Sequence, residues 1–120
     1  MTTKPTVLVT RTLPEAVEDR LKQDYDVRLN PDDALYSPDE LIELAQEVDA
    51  ILPCHTEHFT PDVVLRLPDS VKIVANFSVG VDHCNLEAFR ERGIIVTNTP
   101  DVLSDATAEV AILLMLGAAR

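Results

Sequence analysis

Five short runs rich in valine, isoleucine and leucine recur along this chain, and a stretch of helical spacing follows each one. Thr6-Val7-Leu8-Val9-Thr10, Asp26-Val27-Arg28-Leu29, Ala50-Ile51-Leu52, Val71-Lys72-Ile73-Val74-Ala75 and Ile94-Ile95-Val96-Thr97 read as strands. Strands separated by helices cannot pair as tight hairpins. They line up in parallel instead, in a sheet with helices on both faces.

The intervening stretches carry helix start and stop signals. Thr12-x-x-Glu15 has the form of a capping box, with Val17 and Leu21 on one face behind it. Ser37-Pro38-Asp39-Glu40 and Thr60-Pro61-Asp62 open two further helices, the second stopped by Pro68. Asn85 to Arg92 is helical in pattern, and Gly93 sits where a left-handed C-terminal cap belongs. After Pro100, Ser104 or Asp105 can cap a last helix running to Arg120. That helix is apolar almost all round, so burial on several sides is expected. The fold class that follows is α/β: a flavodoxin-like five-stranded parallel sheet in the order 2-1-3-4-5, with helices on both faces, plus a long C-terminal apolar helix.

Charge narrows the partners. With 21 acids against 10 Lys plus Arg in 120 residues, the formal charge is −11, and no basic stripe exists to neutralise phosphates. Nucleic acid and anionic membrane are therefore not expected as partners. Cys54 and Cys84 do not form a secreted disulfide framework, and the polar Met1 to Thr6 lacks an apolar signal core. The longest apolar run, Val110 to Ala119, is about half a bilayer span. A cytoplasmic location is the expectation.

In parallel sheets ligands collect outside the carboxyl ends of the strands. Ser78-Val79-Gly80 follows the fourth strand at that rim, ahead of a helix, in a chain with only three glycines. Glycine permits backbone dihedrals that other residues resist and lets a ligand come close to the main chain. Consecutive N–H groups there could hold a carboxylate or phosphate. A plain strand-to-helix turn that needs glycine for its geometry is the competing reading.

The stretch NFSVGVDHCNLEAFRERGIIVTNTPDVLSDATAEVAILLMLGAAR, Asn76 to Arg120, closely resembles the D-isomer-specific 2-hydroxyacid dehydrogenases, particularly their glyoxylate/hydroxypyruvate reductase-like members. The Ser-Val-Gly-Val-Asp-His turn, Arg92-Gly93-Ile94, Asn98-Thr99-Pro100 and Thr107-Ala108-Glu109 carry the resemblance; residues 1 to 75 fit the layout without a distinctive motif. It implies a two-domain oxidoreductase in which hydride passes between NAD or NADP and a short 2-keto acid, giving a D-2-hydroxy acid. It also implies that main-chain N–H groups of Val79 and Gly80, with Ser78 beside them, hold the substrate carboxylate, and that Thr107 lies near the cofactor. A capping role alone is the other reading of Thr107. Cys84-Asn85 departs from the Ile-Asp often found in the family, but Asn85 can still cap a helix.

Residues 1–103 then form the substrate-binding domain and 104–120 begin an interdomain helix. No G-x-G-x-x-G occurs, since Gly80, Gly93 and Gly117 are too far apart. The dinucleotide-binding domain and its catalytic arginine, acid and histidine are therefore expected beyond Arg120, with no catalytic residue in this chain and no turnover by it alone. None of His55, His58 or His83 matches that catalytic histidine, and His83 is expected to be structural. A homo-oligomer, a dimer, formed through the last helix is expected.

Weaker constellations read plainly. Pro53-Cys54-His55-Thr56-Glu57-His58 lacks a second ligand pair, so no metal site is expected. The resemblance places this loop along the substrate pocket, where Cys54 and His55 could shape it; a surface loop is the alternative. Arg11 is a further candidate anion partner, with a solvated surface side chain the simpler reading. The competing function is a stand-alone flavodoxin-like small-anion-binding or interaction module. A phospho-receiver does not fit, because Arg11-Thr12, Pro53-Cys54 and Asn98 stand where its acids and lysine belong.

Overall fold

The computed structural model describes residues 4–100 and 104–119. The strands are β1 (Thr6–Val9), β2 (Asp26–Arg28), β3 (Ala50–Leu52), β4 (Ile73–Ala75) and β5 (Ile95–Thr97). All neighbours pair in parallel in the order β2-β1-β3-β4-β5, the winding the alternation predicts. Between and after them lie α1 (Glu15–Asp24), α2 (Pro38–Leu44), α3 (Pro61–Arg66), α4 (Leu86–Arg92) and α5 (Ser104–Ala118).

Strand alternation divides the core in two. Leu8, Ile51 and Val74 join Leu41, Val63, Val64 and Phe89 of α2, α3 and α4 in one cluster. Phe59 and Phe89 meet inside it at 5.5 Å between ring centroids. Val7 and Val9 point the other way and pack with Leu13, Val17 and Leu21 at α1. Cover on this second face thins toward β5: Ile73 and Ala75 are half-buried and Ile95 is 61% exposed.

The helix ends show which local signals prevailed. Ser37 and Glu40 form a reciprocal capping box, and the Thr60 hydroxyl accepts from the Val63 amide. Asn85 accepts from the Ala88 amide, and Gly93 closes α4 at φ 70°. The Thr12–Glu15 box does not form. Thr12 donates its hydroxyl to the Asn30 carbonyl at 2.6 Å and its amide to Asp33 at 2.9 Å, so tertiary bonds take both groups. The helix instead begins after Pro14, and Glu18 reaches back to the Leu13 amide at 3.0 Å.

Two arginines serve helix ends from a distance. Arg92 Nη1 donates to the carbonyls of Val64, Leu65 and Leu67 at 2.7, 3.1 and 2.9 Å, satisfying the C-terminus of α3. Arg28 Nη1 does the same for Leu44 and Gln46 after α2, at 2.8 and 2.7 Å.

The last helix departs from expectation. Asp105 to Ala119 are all exposed, including Leu113, Leu114, Met115 and Leu116, so none of the described residues provides the several-sided burial that its side chains favour. No described helix is long and apolar enough to cross a membrane. The expected domain boundary at residue 103, and Arg120, lie outside the described residues.

Gly93 is the glycine whose backbone excludes other side chains. Gly93→Ala forces an L-residue into the left-handed region and is expected to lower stability by about 1 kcal/mol, read as a shift in the urea midpoint at unchanged slope.

Candidate functional site

Parallel strands all end at one rim, and there the segments after β3, β4 and β5 meet. His55, His58, Phe77, Ser78, Val79, Gly80, Asp82 and His83 enclose an open cavity of about 570 Å³. The segment after β4 is held from both sides. The Phe77 amide donates to the Pro53 carbonyl at 2.8 Å, and the Asn76 amide to Thr97 at 2.9 Å. Beyond the cavity, the Phe59 amide donates to the His83 carbonyl at 2.7 Å, joining the two loops again.

Between those anchors the carbonyl groups are occupied. Ser78 O accepts from the Thr99 amide at 2.9 Å, Val79 O from Asn98 Nδ2 at 2.7 Å, and Gly80 O from the Ser78 hydroxyl at 2.9 Å. The amides of Ser78, Val79 and Gly80 have no partner among the described residues. With these oxygens engaged and these three N–H groups unspent, the loop can offer donors to an anion.

Gly80 corrects one part of the sequence reading. Its backbone lies outside the left-handed region, and a Cβ built there would meet nothing within 4 Å. Neither turn geometry nor internal packing demands glycine here. A glycine keeps the cavity side of the main chain open, which is the ligand-approach part of the expectation.

Charge around the cavity is muted. Arg11 is engaged elsewhere: Nε and Nη2 donate to the Asp33 carboxylate at 2.8 and 3.0 Å, and Asp33 is held down at a pKa of about 2, first by that bond. Arg11 is thus neither a free anion partner nor a solvated surface side chain: its side chain is 22% exposed and ion-paired. Glu57 is buried and accepts from the Cys54 amide at 3.1 Å and the Thr56 hydroxyl at 3.2 Å, bracing the loop. His55 and His58 line the wall, whereas Cys54 packs toward the α1 side of the sheet. No described group of three or more His, Cys, Asp or Glu side chains is arranged to hold a metal ion.

His83 is paired with Asn76, its Nε2 lying 2.7 Å from Asn76 Oδ1, and not with its neighbour Asp82. Sequence reasoning passed over Asn76 because its partner is seven residues away in a loop. A polar residue immediately after a buried strand was the available signal. Cys84 is buried against the core, and burial pushes its thiol up to about 11, so it is an inert filler at neutral pH. Thr107 stands exposed on α5 and is not among the residues that line the cavity.

Burial, then the neighbouring His55, pushes the His83 pKa below its usual 6.5. The unfolded chain then binds more protons in the window just below 6.5, so His83 lowers stability as pH falls from 6.5 through its folded value. An NMR titration of the His83 ring should show a midpoint below 6.5, and His83→Gln should flatten the fall in stability across that window.

The pattern of the D-isomer specific 2-hydroxyacid dehydrogenase catalytic domain matches residues 7–113. A glycerate dehydrogenase of Hyphomicrobium methylovorum is 43% identical over 117 residues, covering 98% of this chain and 36% of that protein. A solved structure from Polaromonas sp. JS6 66, assigned to the same family and to NAD binding, superposes with a TM-score of 0.85 at 37% identity, over 98% of this chain and 36% of that one. An NADPH-dependent glyoxylate/hydroxypyruvate reductase from Sinorhizobium meliloti, solved with NADP and malonate, matches with a TM-score of 0.75 at 29% identity, covering 95% and 34%. The chain thus spans about a third of the length of the relatives it matches. By the extent of that match, this chain belongs to the D-isomer specific 2-hydroxyacid dehydrogenase family.

Proposed function

We propose that this chain is the substrate-binding part of an NAD(P)-dependent oxidoreductase that reduces a short 2-keto acid, of the glyoxylate or hydroxypyruvate type, to a D-2-hydroxy acid. The observation that carries the reading is the loop of Ser78, Val79 and Gly80, with three carbonyls engaged and three amides unspent beside a cavity. The amides of Val79 and Gly80 hold the carboxylate of the acid, and Ser78 lies beside them. The S. meliloti relative, solved with the small dicarboxylate malonate, is consistent with an anion of this size.

The chain's own residues do not make a dinucleotide cradle. Gly80, Gly93 and Gly117 form no phosphate turn, and Thr107 stands exposed on α5. In this reading residues 1–103 bind substrate, 104–120 begin the helix between domains, and NAD or NADP is held mainly by a domain outside these residues, with Thr107 reaching its phosphate. Reduction also needs a proton donor and a positive charge at the substrate. His83 is neutral near pH 7 and bonded to Asn76, and Arg11 is bonded to Asp33, so neither is free for those tasks. The chain by itself is expected to show no keto-acid-dependent oxidation of NAD(P)H.

The exposed Leu113, Leu114, Met115 and Leu116 support α5 as a helix that other protein covers. Self-association of the chain through α5, as a dimer, accompanies this proposal; light scattering that shows only monomer at raised concentration would count against it.

Oxamate, a stable 2-keto acid analogue, tests the notch. Its addition should shift the amide resonances of Val79 and Gly80 ahead of all others. Gly80→Ala should leave the melting temperature unchanged, because the added methyl meets no protein atom, yet weaken oxamate about tenfold by projecting into the cavity. Equal binding by the variant, or shifts centred elsewhere, would defeat the assignment.

A further inference from the structure

The loop between β4 and α4 is closed across its neck at one atom, Asn76 Oδ1, which meets His83 Nε2 at 2.7 Å and the Cys84 thiol at 3.8 Å. Asn76 stands at its entry and His83 at its exit, and the notch residues Ser78, Val79 and Gly80 lie between them. Asn76 is buried, at 3% exposure, and each of its polar atoms is spoken for. Its backbone amide and Nδ2 both donate to the Thr97 carbonyl, at 2.9 and 3.0 Å, which ties the end of β4 to the end of β5. That bond orients the side-chain amide, so Oδ1 is the atom facing His83. An amide oxygen only accepts, and the imidazole must therefore carry its proton on Nε2.

We infer that Asn76 and His83 are positioning residues for the anion site: their bond is the clasp that holds the Val79 and Gly80 amides at the cavity. The inference rests on the reading of those amides as the carboxylate site. The backbone anchors act on the two halves of the loop separately. Asn98 and Thr99, after β5, hold Ser78 and Val79, while Phe59, after β3, holds His83. The halves are joined directly at Asn76 Oδ1, which accepts from His83 Nε2 at 2.7 Å and, far more weakly, from the Cys84 thiol at 3.8 Å. The clasp survives protonation, because Nε2 donates in both charge states. His55, His58, Glu57 and Asp82, the titratable groups that bear on His83, therefore change its charge without opening the loop.

Three variants of the protein test this. Asn76→Leu keeps the volume and removes the bond; backbone relaxation at Val79 and Gly80 should show added motion, and oxamate should bind roughly fivefold more weakly, the equivalent of one hydrogen bond. His83→Gln keeps an N–H donor for Asn76 Oδ1 and leaves the Asn76–Thr97 bond intact, so it should retain loop order. If Asn76→Leu does not fold, His83→Leu removes the bond from the other side. Nitrogen-15 spectra of the wild-type ring should show the Nε2–H form. Unchanged relaxation in the Leu variants, or an Nδ1–H ring, overturns the clasp. Loop order that depends on Asn76 in a protein indifferent to oxamate would keep the clasp and overturn the substrate reading instead.

Discussion

A strand paired in parallel cannot return directly to its neighbour, and this single constraint organises the molecule. Each crossover helix carries the chain back to the opposite edge, so β1, β3, β4 and β5 all release their following segments at one rim. Residues distant in sequence, such as Pro53 and Phe77 or Asn76 and Thr97, become hydrogen-bonded neighbours there without any local motif to bring them together. The rim also inherits the strands' bonding logic. Main-chain groups that would continue a ladder must find other partners: after β4 the Asn76 and Phe77 amides find them, and at residues 78 to 80 the carbonyls do while the amides do not.

That asymmetry follows from which neighbours β4 has. β5 lies beside it and ends in Asn98 and Thr99, whose donors reach toward Ser78 and Val79. β3 lies on the other side and ends in Pro53, which has a carbonyl to offer and no N–H. The loop after β4 therefore meets donors from one flank and an acceptor near its root from the other. Its own N–H groups at 78 to 80 are left over. The notch is thus a consequence of strand order as much as of the tripeptide that forms it.

Local signals were legible wherever the local bond was the strongest on offer. The Ser37 box, the Thr60 and Asn85 caps and the left-handed Gly93 needed no distant partner, and each stands as the sequence implies. Thr12 fails as a cap because Asn30 and Asp33, eighteen and more residues away, compete for it. Arg92 and Arg28 carry no local signal of their task, yet each satisfies helix carbonyls on another element. The site followed the same division. Ser78, Val79 and Gly80 stood out by their place after a strand. Asn76 did not, since its importance lies in a pairing that only the closed loop creates. Thr107 was named by resemblance alone, and no contact inside this chain gives it a task.

An acidic chain proposed to bind an acid must do so at short range. At a formal charge of −11 the distant field repels anions, although salt limits that field to about 8–10 Å. Inside the cavity the titratable lining is three imidazoles and Asp82, and the nearby Arg11 is neutralised by Asp33. Backbone N–H dipoles are then the donors that do not depend on pH and carry no counter-charge to be satisfied when the ligand leaves. Such dipoles can orient a carboxylate or stabilise an alkoxide, but they give it no proton. In the proposed reading His83 is bonded to Asn76 and Arg11 to Asp33, so the proton and the full positive charge come from groups outside these residues.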